Sequence, residues 1–263
     1  MADEYSMQSQ ASSWQSVLPI SRNLYYGGNW HAPVGGEVRA VNSPGTGTEL
    51  CKVAEADERD VSSVIDAARN GFQLWRQVKP LERAKTLRKM AAVIRSNLRE
   101  LALLDAIDCG NPVQMLYGDV AAAAELLDFF AGLVTEMKGS SIPMGVGTVN
   151  FSTREPYGVV ARIIPFNHPL LTCAGKIAAP LAAGNAVIIK PSEQSPLSAL
   201  RLAELFHELL PPGVFNVVTG GKAVGAALSQ HPGVSMITVV GSIPTGRAVM
   251  RAAAETIKPV LLE

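Results

Sequence analysis

From residue 159 onward the chain keeps a regular beat. Apolar, β-branched runs at 159–166, 186–189, 214–218, 236–240 and 260–262 are separated by stretches with helical spacing. Strands alternating with helices make βαβ units and a parallel sheet covered by helices. In such an open sheet ligands bind beyond the carboxyl ends of the strands, so the residues just past each run are the first candidates for chemistry. One connecting helix is marked in detail. Ser195-Pro196 offers a cap before a first-turn proline, and Leu197, Leu200, Leu202, Leu205 and Leu209 supply an apolar stripe.

The residues before 159 follow other patterns. Residues 1–22 are polar and rich in Ser and Gln, without periodicity, and are expected to form a flexible arm in which only Trp14 hints at docking. Between 23 and 53, short apolar runs alternate with Gly27-Gly28, Gly35-Gly36 and Asn42-Ser43-Pro44-Gly45, the chemistry of short strands and turns. Two helices follow. Val61, Val64, Ile65, Ala68, Phe72 and Trp75 recur at helical spacing behind Asp57 and Asp60, either of which suits the positive N-terminal end. Leu87, Ala91, Ile94 and Leu98 line the second helix, whose Lys85, Arg88, Lys89, Arg95 and Arg99 read as a solvated face. A further helical region, 102–138, is interrupted at Gly110-Asn111-Pro112, and its run of alanines from 121 to 124 suits close packing. From 139 to 158 the pattern turns extended with Gly and Pro on both flanks, which predicts an exposed hairpin arm of the kind that serves subunit contact.

Composition narrows the partners. The 263 residues include 23 basic and 23 acidic side chains, so no net field holds a phosphate backbone and nucleic acid is not an expected ligand. The longest apolar stretch, 177–189, is interrupted by Pro180, Gly184 and Asn185. It also falls short of the roughly 20 residues that a membrane span needs. The first residues carry neither an apolar leader nor an Arg-rich transit pattern. Cys51, Cys109 and Cys173, odd in number and far apart, read as free thiols, and a cytoplasmic protein is expected.

Four segments can carry chemistry. Gly241-Ser242-Ile243-Pro244-Thr245-Gly246 lies between a strand and a helix expected from Arg247 to Thr256, where glycines let the backbone approach a pyrophosphate and the helix N-terminus offers N–H groups to it. The same glycines also suit a plain tight turn. Gly220-Gly221-Lys222-Ala223-Val224-Gly225 follows another strand and competes for that role. Lys190-Pro191-Ser192-Glu193 sits past the run 186–189; a carboxylate there can accept hydrogen bonds from ribose hydroxyls and repels a 2′-phosphate, which favours NAD over NADP, although a solvated loop has the same composition. In Pro165-Phe166-Asn167-His168-Pro169 the amide of Asn167 can stabilise an oxyanion. His168 has no carboxylate near it in sequence and is not expected to act as a base. His31, His207 and His231 show no metal-ligand spacing, so no metal site is expected.

Together these residues resemble the NAD(P)-dependent aldehyde dehydrogenase superfamily. The likeness runs from about Asn23 to the last residue through NSPGTG (42–47), EPYGVVARIIPFNHP (155–169), KIAAPLAAGNAVIIKPSEQSPLSAL (176–200), PPGVFNVVTG (211–220), VGSIPTGR (240–247) and VLLE (260–263). It implies an α/β, Rossmann-like open parallel sheet with flanking helices, preceded by a helical and extended N-terminal region. A dinucleotide-binding domain would comprise 23–138 and 159–263, with an oligomerisation hairpin at 139–158 and a homo-oligomer as the assembly. Carried over residue by residue, Asn167 matches the oxyanion-stabilising Asn and Glu263 the base that activates the hydrolytic water. Lys190 and Glu193 match the adenosine-ribose ligands, and Gly241 and Ser242 the turn at the pyrophosphate. Ile163, Ile164, Pro165 and Phe166 match the strand end bordering the dinucleotide, and Gly225 the glycine on the adenine side. Phe166 replaces the usual Trp, and Val239-Val240 the usual Phe-Thr.

The family's nucleophilic Cys belongs to a catalytic domain that follows the Glu263 position, and the chain as read does not reach it. Cys51, Cys109 and Cys173 read as buried or loop thiols instead. The expectation is therefore the N-terminal, cofactor-binding portion of an enzyme that oxidises an aldehyde to a carboxylic acid with NAD, inactive by itself. The competing class is a non-catalytic dinucleotide-binding or subunit-assembly module. A short-chain reductase is set aside because no Tyr is followed by Lys four residues on.

Overall fold

The structure, a computed structural model, describes residues 14–263. The expectation of a flexible arm at 1–13 lies outside the described residues. Residues 14–22 depart from it: a 3-10 turn, Gln15–Val17, buries Val17, Trp14 packs against the core, and Ser21 N donates to Glu204 Oε1 at 2.8 Å.

Strands β1 (Leu24–Tyr26) and β2 (Asn29–His31) form an antiparallel hairpin. Its turn, Gly27-Gly28, has φ of 61° and 78°, the left-handed region that glycine enters without a Cβ clash. β3 (Val38–Asn42) and β4 (Glu49–Ala54) make a separate antiparallel pair. α1 (Glu58–Trp75) begins with a capping box in which Asp57 accepts from the Arg59 and Asp60 amides while Asp60 Oδ2 accepts from the Asp57 amide at 2.9 Å. α2 (Pro80–Ser96) ends two residues earlier than the apolar spacing suggests. Asn97 separates it from α3 (Leu98–Cys109), so Leu98 opens the next helix. Gly110, with φ of 85°, closes α3 and Pro112 caps α4 (Val113–Gly132). α2 lies along α4, where Ala123 and Ala124 are fully buried. β5 (Ser141–Pro143) and β6 (Val149–Phe151) form the hairpin arm, with all six residues exposed.

Then comes the alternating half: β7 (Val159–Ile163), a π-helical turn (Leu171–Gly175), α5 (Lys176–Ala182), β8 (Ala186–Lys190), α6 (Leu197–Phe206), β9 (Phe215–Val217), α7 (Lys222–Gln230), β10 (Met236–Val239), α8 (Ile243–Ala254) and β11 (Val260–Leu262). The central sheet runs β11-β10-β7-β8-β9-β1-β2, with β7 to β11 mutually parallel and the β1–β2 hairpin antiparallel at one edge. Each face has its own core. Val159 and Ala161 of β7 join Val61, Val64, Ile65 and Ala68 of α1 on one side, and Val160 joins the α2 to α6 cluster on the other. Full burial of each such Val, Leu or Ile contributes roughly 1.5–3 kcal/mol.

Two local expectations are corrected. Ser195 does not cap α6: its hydroxyl donates to the Phe166 carbonyl at 3.0 Å, and Asp108 of α3 accepts from the Leu197 amide at 2.9 Å in its place. α8 starts at Ile243 rather than Arg247, because Ser242 is its N-cap and Pro244 fits the first turn.

Candidate functional site

The parallel register aligns four strand ends. Lys190 pairs with Ile163, Ile163 with Val239, and Val239 with Leu262, so one row of backbone spans β8, β7, β10 and β11 at their carboxyl edge. Whatever follows each strand therefore starts from a common line. On the α1 side of this edge lies a cleft of about 570 Å³ whose lining includes Ile163, Ile164, Pro165, Lys190, Glu193, Gly225 and Gly241. It also includes Lys222, Pro244 and Thr245 of the two glycine-rich segments named above, and Ala226 and Ser229 of α7, which were not among the expected site residues. Their signal was the helical spacing of small residues: the Ser229 hydroxyl folds back onto the Gly225 carbonyl at 2.7 Å, leaving α7 smooth at that face.

Lys190 is buried, with Nζ donating to the Pro191 carbonyl at 2.9 Å and lying 3.7 Å from Glu193 Oε2. Burial pulls its ammonium below the ordinary value, opposed by the Glu193 and Glu55 carboxylates. Glu193 remains partly exposed. A second pair lies beside it: Arg39 donates to Glu55 at 2.7 and 2.9 Å, and Glu55 Oε1 accepts from the Gly221 amide at 3.0 Å. The hydrogen-bonded Arg39 guanidinium, more than any other group, holds the Glu55 carboxyl below the usual range. A methyl placed on Gly221 would lie 3.3 Å from Glu55 Oε1, 3.4 Å from Glu193 Oε1 and 3.6 Å from Arg39 Nη2, so all three groups converge on one point.

The cleft fits a dinucleotide on physical grounds. A Cβ on Gly225 would touch Ile163 at 3.5 Å and Lys190 at 3.8 Å, whereas one on Gly241 would meet only Val239, at 3.8 Å, which leaves backbone accessible to a ligand. Ser242 uses its hydroxyl as the α8 cap toward the Thr245 amide at 3.4 Å, so it contributes the helix end rather than a free hydroxyl.

Phe166, Asn167 and Glu263 stand outside the cleft lining. Phe166 is 53% exposed and Asn167 is exposed; the Asn167 carbonyl accepts from Asn111 Nδ2 at 2.6 Å, and its side-chain amide makes no hydrogen bond among the described residues. His168 does have a carboxylate partner: Nδ1 donates to Asp119 Oδ2 at 2.6 Å across 49 positions of sequence, a correction to the reading of that residue as isolated. Glu263 extends the β10–β11 ladder, its amide donating to the Val239 carbonyl at 3.0 Å. Its side chain accepts from Lys176 Nζ at 2.7 and 2.9 Å.

A sequence profile of the aldehyde dehydrogenase family matches residues 30–263. The chain belongs to the aldehyde dehydrogenase family. An aldehyde dehydrogenase of Talaromyces stipitatus is 39% identical over 252 residues, covering 95% of this chain and 49% of the relative. A betaine aldehyde dehydrogenase of Vibrio vulnificus is 41% identical over 241 residues, covering 91% and 50%. The crystal structure of a Staphylococcus aureus betaine aldehyde dehydrogenase in complex with NAD+ superposes with a TM-score of 0.92 at 32% identity, covering 96% of this chain and 51% of that one. The chain thus spans about half the length of the relatives it matches. Its α/β architecture with a mostly parallel sheet is that of these aldehyde dehydrogenases.

For an aldehyde dehydrogenase the state of the thiols matters. Cys173 is fully buried in the π-helical turn, and burial pushes its thiol far above the ordinary value. Burial likewise pushes Cys51 and Cys109 up to about 11. Among the described residues no group of three or more His, Cys, Asp and Glu could hold a metal ion, and no helix is long and apolar enough to cross a membrane.

Proposed function

We propose that these residues form the cofactor-binding portion of an NAD-dependent enzyme that oxidises an aldehyde to a carboxylic acid through a Cys-bound intermediate. The observation that carries this reading is the shared carboxyl edge, which sets the Lys190–Glu193, Gly225 and Gly241 cleft beside the strand ends leading to Asn167 and Glu263. Lys190 and Glu193 bind the adenosine ribose, Ile163 to Phe166 border the dinucleotide, and the Gly241-Ser242 turn with the N-terminus of α8 receives the pyrophosphate. When bound, NAD supplies the hydride acceptor. The unpartnered amide of Asn167 donates to the oxyanion of the tetrahedral adduct, and the Glu263 carboxylate takes a proton from the water that releases the acyl group.

None of the three thiols present suits the nucleophile's role, because the thiolate is the reactive form and all three hold their protons at neutral pH. Residues 23–138 and 159–263 would form one dinucleotide-binding unit. The 139–158 arm, which exposes Ile142, Met144, Val149 and Phe151, is assigned to contact between subunits of a homo-oligomer. Free thiols suit a reducing, cytoplasmic setting.

The test is calorimetry with NAD and NADP on the 263-residue chain, paired with NADH production from aliphatic and aromatic aldehydes. NAD binding without turnover is expected. Absence of NAD binding, or turnover abolished by Cys173→Ala, overturns the reading.

A further inference from the structure

The loop that carries Asn167 is short of burial. Phe166 is 53% exposed, Asn167 is exposed, and Pro165 and Pro169 fix only their own φ and restrict the residue before each. Hydrogen bonds supply what packing does not. Asn111 Nδ2 donates to the Asn167 carbonyl at 2.6 Å, and Asp119 Oδ2 accepts from His168 Nδ1 at 2.6 Å. Both partners come from one short segment, the α3–α4 junction and the first turns of α4. They grip consecutive residues: Asn111 takes the peptide leaving Asn167, and Asp119 takes the side chain of the residue which that peptide joins.

The gripping segment is itself fixed. Gly110 occupies the left-handed region with φ of 85°, where a Cβ would come within 2.8 Å of Pro44, and Pro112 caps α4. Asp119 is largely buried, at 13% side-chain exposure, against 33% for His168. A short bond to a carboxylate is among the stronger hydrogen bonds available to a side chain.

We infer that Asn111 and the Asp119–His168 pair are positioning residues that orient Asn167 from the α3–α4 side, while Ser195, whose hydroxyl donates to the Phe166 carbonyl at 3.0 Å, holds the peptide that enters it. This rests on the proposed role of Asn167. A catalytic group must be held within about 0.5 Å of its productive place, and a misplacement of about 1 Å can cost roughly 10²-fold in rate. The carboxylate of Asp119 acts through geometry, holding the imidazole ring, and takes no proton in the reaction.

The experiment is a double-mutant cycle in the full-length protein, with any residues beyond 263 that its gene supplies. NAD affinity is measured by calorimetry for every variant, as the control for folding. Asn111→Ala and Asp119→Ala are each expected to lower kcat by roughly 10- to 100-fold, with NAD affinity and KM nearly unchanged. In an Asn167→Ala background the same substitutions are expected to cost nothing further, because the group they aim is gone. Asp119→Asn keeps an acceptor for Nδ1–H and is expected to recover most of the rate. Additive losses in the Asn167→Ala background, losses that track NAD affinity, or an Asp119→Asn as slow as Asp119→Ala each overturn the inference. A full-length wild type that carries a nucleophilic Cys beyond residue 263 and binds NAD, yet oxidises no aldehyde, overturns the proposed function, and this inference with it. Turnover that Asn111→Ala leaves unchanged overturns the inference alone.

Discussion

Lys176 and Glu263 meet head to head: one ammonium lies 2.7 and 2.9 Å from the two oxygens of one carboxylate, joining the first residue of α5 to the residue just after β11 across 87 positions. Both side chains are about two-fifths exposed, at 39% and 41%, so solvent screens their attraction. The pair is worth no more than about 1 kcal/mol. Lys176→Ala should therefore lower stability by less than about 1 kcal/mol, and the difference from wild type should shrink when urea unfolding is repeated in 0.5 M salt. A loss of several kcal/mol, or one indifferent to salt, would show that Lys176 does more than pair with Glu263.

Glu193 gives the cleft a carboxylate 3.7 Å from the Lys190 ammonium. A 2′-phosphate would face that carboxylate, so NAD should bind more tightly than NADP, and Glu193→Gln should narrow the gap by removing the repulsion. Calorimetry on both cofactors checks this. An unchanged ratio in Glu193→Gln would move the ribose subsite elsewhere, with Arg39 and Glu55 the next groups to test.

Asp105 lies fully buried, accepting from the Ser198 hydroxyl and from the Leu170 amide at 3.1 Å, and burial pushes its carboxyl up from 3.8 to about 7. The folded chain thus holds a proton that the unfolded chain releases between those values. Its contribution to stability is full below about pH 4 and declines as the pH rises to about 7. Asp105→Asn has no such proton to lose. Chemical unfolding from pH 4.5 to 7.5 should show wild type losing ground to Asp105→Asn as the pH increases; a constant difference would place the Asp105 carboxyl at an ordinary value.

If the proposed function holds, Asn167 and Glu263 should fail differently in a protein that joins this chain to the nucleophilic Cys. Asn167→Ala removes the donor to the tetrahedral adduct and should slow its formation, at a cost of about 10²–10³-fold for a lost oxyanion donor. Glu263→Gln removes the base for acyl release, so the first turnover should stay fast while later ones stall, giving a burst of NADH in stopped flow. Bursts of equal size in both variants would refute the division of roles.

The alternating half was legible because strand and helix periodicity report local burial: Val159, Ala161 and Val160 divide between two cores as the β pattern requires. The helix start at Asp57 and Asp60 was legible because both stand just before the apolar run; that they act together as a capping box emerged only in the structure. Pairings made by the finished fold were not legible. His168 finds Asp119 across 49 positions, Glu55 reaches the Gly221 amide across 166, and Asp108 displaces Ser195 as the partner of the Leu197 amide across 89. Nothing in a local window records these, because each depends on which helix the sheet order places beside which loop. The site residues themselves were named through resemblance to a family; by residue chemistry alone the Gly241 turn and the Lys190 loop kept a plain structural alternative.

The hairpin of β1 and β2 joins the sheet through a single register pair, Tyr25 facing Val217, 192 positions apart, with the Gly27 amide donating to Asn216 Oδ1 at 3.2 Å beside it. Such a closure brings its entropic cost before any reward, and β9 must already stand beside β8 to receive it. The edge hairpin is therefore a late arrival in folding. It should also be an early departure: amide exchange at Tyr25 is expected to outpace that at Ile188, in the middle of the sheet, by orders of magnitude under native conditions. Equal protection at the two positions would mean that the sheet opens as a single unit.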